Sequence, residues 1–308
     1  MDNLLIGDVR EKLKELDDRS VQCCVTSPPY WGLRDYGESD QLGLEETPEE
    51  YVDNMVKVFR EVKRVLKDDG TCWLNIGDSY SGNMSRASNN GRAGYGNPRE
   101  EVVSRIPVGL KQKDLVGIPW RVAFALQQDG WYLRQDIIWH KPNPMPESVQ
   151  DRCTKSHEYI FLLTKSARYY YDQDAIREPV SAVSLKRAEY GWDCDRPSTK
   201  NASLGGEGIH TEKMGSRFVN PDGRNKRSVW TITTKPFKDA HFAVFPIEIP
   251  TYCIKAGSKE GDVVLDPFMG SGTTAFAAQE HGRKWVGVEL NPEYVKIIKR
   301  RTQQGVLF

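Results

Sequence analysis

The hydrophobic positions fall into short continuous runs separated by segments with helical spacing. Near the N-terminus, Leu4–Ile6 is an apolar run, Val9, Leu13 and Leu16 recur on one helical face, and Val21–Thr26 is again continuous. Continuous apolar strands separated by helices are typical of a parallel sheet with both faces covered. The pattern therefore predicts an α/β fold that begins with a βαβ unit.

The same alternation continues downstream. Thr47, Pro48 and Glu50 form a capping box with proline at the first helical position. Asp68–Gly70 is predicted to end that helix, and Thr71–Ile76 is predicted as the next strand. Further elements are predicted, in chain order, as helix Pro119–Gln128, strands Asp136–His140 and Tyr159–Thr164, helix Ile247–Ala256, strand Asp262–Leu265, helix Thr273–His281, strand Trp285–Val288 and helix Pro292–Arg301.

Two stretches show neither the helical spacing nor the continuous apolar runs seen elsewhere. Eleven of the seventeen residues in Ser81–Asn97 are Gly, Ser or Asn, which predicts a mobile loop, taken as 81–115. Residues 175–238 are rich in Gly, Asn, Ser and charge with isolated aromatics, which predicts an insertion rather than more sheet. We therefore expect one domain made of 1–174 and 239–308, interrupted by 175–238.

Composition narrows the class of protein. The chain has 308 residues, 38% hydrophobic and 28% charged, and no apolar run approaches the ~18 residues of a membrane span. No secretory signal opens it, so we expect a cytoplasmic protein without membrane contact. The six cysteines show no CxxC pair and no metal-ligand spacing with the five histidines, so no metal is expected. The absence of a Pro-Cys pair disfavours methylation at cytosine carbon 5.

Charge changes the picture only through its distribution, since 43 Lys and Arg balance 43 Asp and Glu. Residues 35–61 hold nine acidic side chains against two basic ones. Residues 181–240 hold eleven basic against seven acidic side chains, which makes this stretch the better candidate for contacting phosphates.

The first motif with chemical content is the segment DPFMGSGTT at 266–274, between a predicted strand and a predicted helix. Its glycines allow close backbone approach to a ligand, and the helix N-terminus offers free N–H donors. Glu289 ends the next strand, nineteen residues after Gly270, where an acid can accept hydrogen bonds from both ribose hydroxyls. Without Glu289 and Asp266, the glycines alone would also fit a tight strand-to-helix turn.

The second motif is TSPPYW at 26–31, directly after the apolar strand. Proline removes N–H groups, so the Pro28 carbonyl and the Ser27 Oγ can hold the two hydrogens of a nucleobase amino group. Tyr30 can stack on a flipped base. The alternative is a stiff loop with two core aromatics. Because both motifs follow strands of a parallel sheet, we expect them to converge on one cleft.

At this point the chain resembles the amino-methylating DNA methyltransferases of bacteria and phages, in the permuted arrangement called the beta class. The catalytic SPPY precedes the donor loop DPFMGSGTT in both, and the similarity spans most of the chain. The resemblance implies a Rossmann-like sheet that binds S-adenosyl-L-methionine, flips a base out of double-stranded DNA and methylates its amino nitrogen without a metal.

The resemblance also implies site residues. Asp8 would lie near the cofactor adenine, although it could simply cap the helix at Val9. His241 and Phe245 would pack on the methionine end, although a lone histidine is often structural. The implied catalytic residues are Ser27, Pro28, Pro29 and Tyr30, and the implied cofactor-binding residues are Asp8, His241, Phe245, Asp266, Phe268, Gly270, Ser271, Gly272, Thr273 and Glu289.

Within this family, Ser at the first position of the proline motif is associated with N4-cytosine enzymes and Asp or Asn more often with N6-adenine enzymes. Ser27 therefore favours cytosine, with adenine as the alternative. Residues 175–238 would be the target recognition region. A homodimer and a companion restriction endonuclease are left open.

Three other functions compete. A nucleotide-dependent oxidoreductase also uses a glycine turn and an acid, but its turn usually opens the chain, whereas only 36 residues follow Gly272. A DNA-binding module without catalysis would need decayed motifs, and every matched position is chemically competent. RNA is a third option, since Tyr30 and Trp31 could stack an unpaired base.

Overall fold

The computed structural model describes residues 3–33, 41–84, 103–107, 109–183, 186, 222–234 and 245–304. Its strands are β1 (Asn3–Ile6), β2 (Val21–Thr26), β3 (Leu66–Ile76), β4 (Gly82–Met84), β5 (Val103–Arg105), β6 (Tyr132–His140), β7 (His157–Thr164), β8 (Val229–Thr231), β9 (Val263–Asp266) and β10 (Lys284–Glu289). Its helices are α1 (Val9–Lys12), α2 (Pro48–Val65), α3 (Ile118–Gln128), α4 (Glu248–Gly257), α5 (Thr273–Glu280) and α6 (Pro292–Gln304), with 3-10 turns at Leu13–Glu15 and Asp174–Ile176.

Eight strands form one sheet in the order β1-β10-β9-β2-β3-β7-β6-β8. Every neighbouring pair is parallel except the two that involve β7, which runs antiparallel to β3 and to β6. The carboxyl ends of the other seven strands and the amino end of β7 therefore share one edge. Ligands of parallel α/β sheets bind at this edge.

Helices cover both faces of the sheet, as predicted. Successive side chains of β2 point to opposite faces. Cys24 belongs to the hydrophobic core that includes residues of α1, α2 and α3. Cys23 lies on the other face, where its thiol contacts the backbone carbonyl of Cys253 in α4. All six residues of β2 are buried, which explains its continuous apolar sequence.

Helix α2 begins as predicted but ends earlier. The Glu50 amide donates to Thr47 Oγ1 at 3.2 Å and the Thr47 amide donates to Glu50 Oε2 at 3.3 Å, with Pro48 as first residue. Strand β3 starts directly afterwards at Leu66. Residues 68–70, predicted to stop the helix, instead lie where the β2–β3 register is irregular. The acidic turn thus becomes a bulge in a strand.

The predicted loop 81–115 contains secondary structure on both sides of residues 85–102. β4 and β5 form an antiparallel pair, in which Gly82 lies opposite Arg105. Closer to the main sheet, the Ser81 amide donates to the Asp114 carbonyl at 2.8 Å, and the Lys113 amide donates to the Ser81 carbonyl at 2.7 Å. Residues 85–102 lie outside the described residues.

The chain divides into two compact units, Met1–Tyr171 with Ser228–Phe308, and Asp172–Arg227. The insertion predicted over 175–238 is therefore shifted, because β8 pairs with β6 and belongs to the sheet. Inside the smaller unit, Glu178 lies within ion-pair distance of Arg224, at 3.3 Å, and of Arg227, at 3.0 Å. In the described part of the chain, no helix combines the length and apolarity needed to cross a membrane.

Candidate active site

Both predicted motifs line one cavity of about 930 Å³ at the carboxyl edge of the sheet. Residues that follow β1, β9 and β10 form what we call the β10 side. Residues at the ends of β2, β3, β6 and β7 form what we call the β7 side. The predicted convergence of the two motifs is confirmed by this cavity, which both sides border.

On the β10 side, Glu289 is the acid that faces the cavity. Its Oε2 accepts a hydrogen bond from the Gly270 amide at 2.7 Å, and its Oε1 accepts one from the Asn291 amide at 2.8 Å. Burial raises the pKa of this carboxyl to about 7, against the backbone donors that lower it. Each oxygen keeps a lone pair for a ligand hydroxyl.

Asp266 does not line the cavity but lies beneath the loop, 1% exposed. Its Oδ1 accepts from Thr26 Oγ1 at 2.7 Å and from the Phe268 amide at 3.0 Å, and its Oδ2 accepts from Thr274 Oγ1 at 2.7 Å. Burial raises the pKa of this carboxyl to about 6. Asp266 therefore joins β2, the loop and α5, and differs from the direct cofactor contact expected from sequence.

The glycine loop is held by its surroundings. Gly272 has a positive φ of 80°, and a Cβ there would lie 3.2 Å from Ile298 Cγ1. Arg301 Nη1 donates to the Ser271 carbonyl at 2.8 Å and to Thr273 Oγ1 at 3.1 Å. Of the predicted loop residues, Phe268, Gly270, Ser271 and Thr273 line the cavity, whereas Gly272 is not among its lining residues.

Asp8 caps a helix, as one of its two sequence interpretations expects, and it also faces the cavity. Its Oδ1 accepts from the Arg10 amide of α1 at 2.7 Å. Phe245 also lines the cavity. His241 lies outside the described residues.

On the β7 side, Ser27, Pro28, Pro29 and Tyr30 all line the cavity. The Pro29 carbonyl accepts a hydrogen bond from the Tyr51 hydroxyl at 2.9 Å, so it is already engaged. Burial, followed by the nearby negative charge of Glu158, raises the pKa of Tyr30 well above its usual value, which keeps this phenol neutral.

Trp31 has a core role. Its ring is 2% exposed and its Nε1 donates to the Glu45 carbonyl at 3.0 Å. Of the two aromatics that follow the prolines, only Tyr30 lines the cavity.

Three further residues of this side extend the site beyond the sequence prediction. The Ser27 hydroxyl donates to the Tyr30 hydroxyl at 3.3 Å, which donates to Glu158 Oε2 at 2.7 Å. Asn75 Nδ2 donates to the Tyr30 hydroxyl at 2.9 Å and to Glu158 Oε2 at 3.0 Å. Lys141 forms an ion pair with Glu158.

These three residues were missed because their signals are weak. Asn75 is a polar residue inside the apolar run of β3, and Glu158 and Lys141 lie at strand ends. A buried polar side chain in a strand indicates a required hydrogen bond. The pairing of β6 with β7, which brings Lys141 to Glu158, was not predicted from sequence.

Two more groups add positive or titratable character to the β7 side. Lys155 Nζ donates to the Asp78 carbonyl at 2.9 Å, and burial lowers the pKa of this lysine. Burial also lowers the pKa of His157. Neutral acceptors, a carboxylate and cations thus surround a space large enough for a nucleobase and a nucleoside donor.

Known proteins resemble this chain over nearly its whole length. A family model described as DNA methylase, of the N6 and N4 methyltransferase type, matches residues 21–300. The Type II methyltransferase M.Cfr9I of Citrobacter freundii is 48% identical over 97% of this chain and 87% of its own. The Type II methyltransferase M.SmaI of Serratia marcescens is also 48% identical, over 97% of this chain and 89% of its own.

Solved structures agree. TTHA0409 from Thermus thermophilus, in complex with S-adenosyl-L-methionine, has a TM-score of 0.60 and 25% identity, covering 100% of this chain and 97% of its own. The cytosine-N4-specific PvuII DNA methyltransferase shares the fold with a TM-score of 0.62 at 20% identity, covering 97% of this chain and 85% of its own. The Rossmann-like sheet is confirmed, and the chain belongs to the DNA methylase family of N6 and N4 methyltransferases.

Proposed function

We propose that this DNA methyltransferase transfers a methyl group from S-adenosyl-L-methionine to N4 of a flipped cytosine in double-stranded DNA. The observation that carries the proposal is the meeting of Glu289 and Ser27 on one cavity. An acceptor for ribose hydroxyls and an acceptor for an amino group are the two recognition elements that such a transfer requires. Rate then comes mostly from alignment.

The β10 side fits the donor, which when bound supplies an electrophilic methyl group on a sulfonium. Glu289 would hold the ribose, because its buried carboxylate gains from hydroxyl donors that replace lost water. Asp8, Phe245 and the loop residues Phe268, Gly270, Ser271 and Thr273 would line the rest. His241 would join them, as the family resemblance implies. Asp266 would act indirectly by fixing the loop.

The β7 side fits the acceptor base. Ser27 Oγ and the Pro28 carbonyl would each accept one amino hydrogen and aim the nitrogen lone pair at the methyl group. Pro29 stiffens this backbone. Stacking of the base on Tyr30 is worth about 1–3 kcal/mol. This gain would offset part of the cost of unstacking the base from the duplex.

Cytosine is favoured over adenine by Ser27, and the PvuII enzyme, which shares the fold, is cytosine-N4-specific. Adenine N6 is the second candidate, because the family model covers both chemistries. Membership of a DNA methylase family does not favour the oxidoreductase, the non-catalytic module or an RNA substrate.

The wider setting follows the relatives. Type II methyltransferases of bacteria support a companion restriction endonuclease and a cytoplasmic location. The smaller unit, Asp172–Arg227, is the proposed target recognition region.

The test is to incubate unmethylated genomic DNA with labelled S-adenosyl-L-methionine, digest to nucleosides and analyse by mass spectrometry. N4-methylcytosine is expected. Detection of N6-methyladenine instead would show that adenine is the target base, and the amino-methylation reaction of the proposal would stand. Label in neither nucleoside would overturn the proposal, and an RNA pool run in parallel would show whether the substrate is another nucleic acid.

A further inference from the structure

The catalytic serine stands at one end of a chain of hydrogen bonds that ends in a carboxylate. The Ser27 hydroxyl donates to Tyr30 at 3.3 Å, and Tyr30 donates to Glu158 Oε2 at 2.7 Å. Each hydroxyl has a single hydrogen. The direction of one bond in the chain therefore fixes the direction of the next.

The ion pair of Glu158 with Lys141 sets that direction at the far end. Lys141 is donor-only, and an ionised carboxylate is acceptor-only. Tyr30 must therefore donate to Glu158. Its oxygen is then free to accept from Ser27, whose hydrogen is committed inside the protein.

Asn75 enforces the same direction. The two hydrogens of its Nδ2 are shared among three acceptors, Tyr30 at 2.9 Å, Glu158 at 3.0 Å and Ser27 Oγ at 3.3 Å. Its Oδ1 is buried and has no hydrogen-bond partner among the described residues. Turning the amide over would place Oδ1 against the carboxylate of Glu158, so the amide keeps its donors on the chain and leaves its acceptor unpaired.

We propose that Glu158, supported by Asn75 and Lys141, is a positioning residue that orients the Ser27 hydroxyl so that its lone pairs face the base amino group. This inference rests on the proposed function, in which Ser27 accepts an amino hydrogen. A serine hydroxyl can donate as well as accept, and a donor at this position would oppose an amino group. The chain removes that ambiguity before the base arrives.

Replacing Glu158 by Gln should reverse the direction of the hydrogen bonds that link residue 158, Tyr30 and Ser27. The Gln carbonyl will face the Lys141 ammonium, because the amide NH₂ would oppose it. The NH₂ then faces Tyr30 and donates to it. Tyr30 in turn donates to Ser27, and the Ser27 hydrogen points into the cavity.

The first test is a double-mutant cycle on single-turnover methylation with saturating DNA and S-adenosyl-L-methionine. E158Q and Y30F are each expected to lower the rate by about 10- to 100-fold, the range for one hydrogen bond to a charged group. Because Glu158 acts through the Tyr30 hydroxyl, the double variant should be no slower than the slower single variant. Cofactor Kd should stay within about twofold in all three.

The matched control is Glu61→Gln, which removes a carboxylate paired with Arg64 at 2.8 Å on α2, away from the cavity. It should methylate like the wild type. The inference would be overturned if the double variant were slowed by the product of the two single effects. It would also be overturned if E158Q methylated at the wild-type rate.

The second test measures hydrogen-bond direction without catalysis. Binding is compared between two DNA duplexes. One carries the unmethylated target base, and the other carries its carbonyl counterpart at the same position, uracil for cytosine or hypoxanthine for adenine. E158Q should shift the ratio of the two Kd values toward the carbonyl base by about 10-fold relative to wild type. If the wild type methylates DNA but the ratio is unchanged in E158Q, the inference is contradicted and the proposed function stands. If the wild type does not methylate DNA, both are overturned.

Discussion

The two sides of the cavity hold their polar groups by different means. On the β10 side, the acid Glu289 is held by backbone amides of Gly270 and Asn291. On the β7 side, Ser27, Tyr30 and Glu158 are held by one another's side chains. Backbone donors stay in place when a neighbouring side chain changes, whereas a side-chain network transmits the change. We therefore expect the β7 side to be the more sensitive to single substitutions.

The largest effect should come from Ser27→Ala. The variant removes the acceptor for the amino group, so kcat should fall by about 10²–10³-fold, as when one transition-state hydrogen bond is deleted. Cofactor affinity should stay within about twofold, because the β10 side is unchanged. Single-turnover methylation and calorimetry measure the two quantities.

Ser20→Ala is the control for this substitution, since the Ser20 hydroxyl lies on the surface and donates to the nearby Asp17 carbonyl at 2.7 Å. A Ser27→Ala rate equal to that of Ser20→Ala would remove Ser27 from catalysis. A large loss of cofactor affinity would show that the two sides are coupled.

Gly77→Ala should have the next largest effect, without removing any polar group. A Cβ at Gly77 would lie 2.6 Å from Tyr30 Cε2, so the ring must move. A shift of about 1 Å in the positioning network can cost up to about 10²-fold in rate. Gly82→Ala is the matched control, because a Cβ there meets no atom of the described residues within 4 Å. Equal rates for the two variants would mean that the Tyr30 position is not critical.

The same contrast explains what the sequence could predict. The β10 side is local in sequence: a strand, a glycine turn and an acid nineteen residues after Gly270 give a readable signal. Val21–Thr26, the capping box of α2 and the elements flanking 266–274 were predictable for the same reason.

The β7 side depends on contacts that span the chain. Glu158 lies 128 residues from Tyr30, and the two meet only because β7 pairs antiparallel with β3. Spacing along the sequence carries no trace of such a pairing. Tertiary packing also decided Asp266, whose carboxylate turned inward to Thr26 rather than to the cavity.

Glu289→Gln should weaken cofactor binding by about 10- to 100-fold, the range for one hydrogen bond to a charged group. The backbone cradle should survive, because Gln keeps a carbonyl for one of the two amides. Rate at saturating cofactor should change less than affinity, opposite to Ser27→Ala. Glu293→Gln, with a side chain 84% exposed on α6, is the control. Calorimetry showing wild-type affinity for Glu289→Gln would place the ribose elsewhere.

The smallest expected effect concerns pH and isolates the charge of Glu289 from its shape. Burial raises the pKa of this carboxyl to about 7 in the free protein. If the donor's hydroxyls require the ionised form, binding below pH 7 must release a proton, so affinity falls as pH falls and levels off above pH 7. The cofactor Kd should be about 10-fold weaker at pH 6 than at pH 8 by this linkage. Glu289→Gln has no proton to release and should lose most of the dependence. A wild-type profile that is flat over this range would show that the neutral carboxyl binds the donor equally well, and the β10 side would then depend on its backbone amides alone.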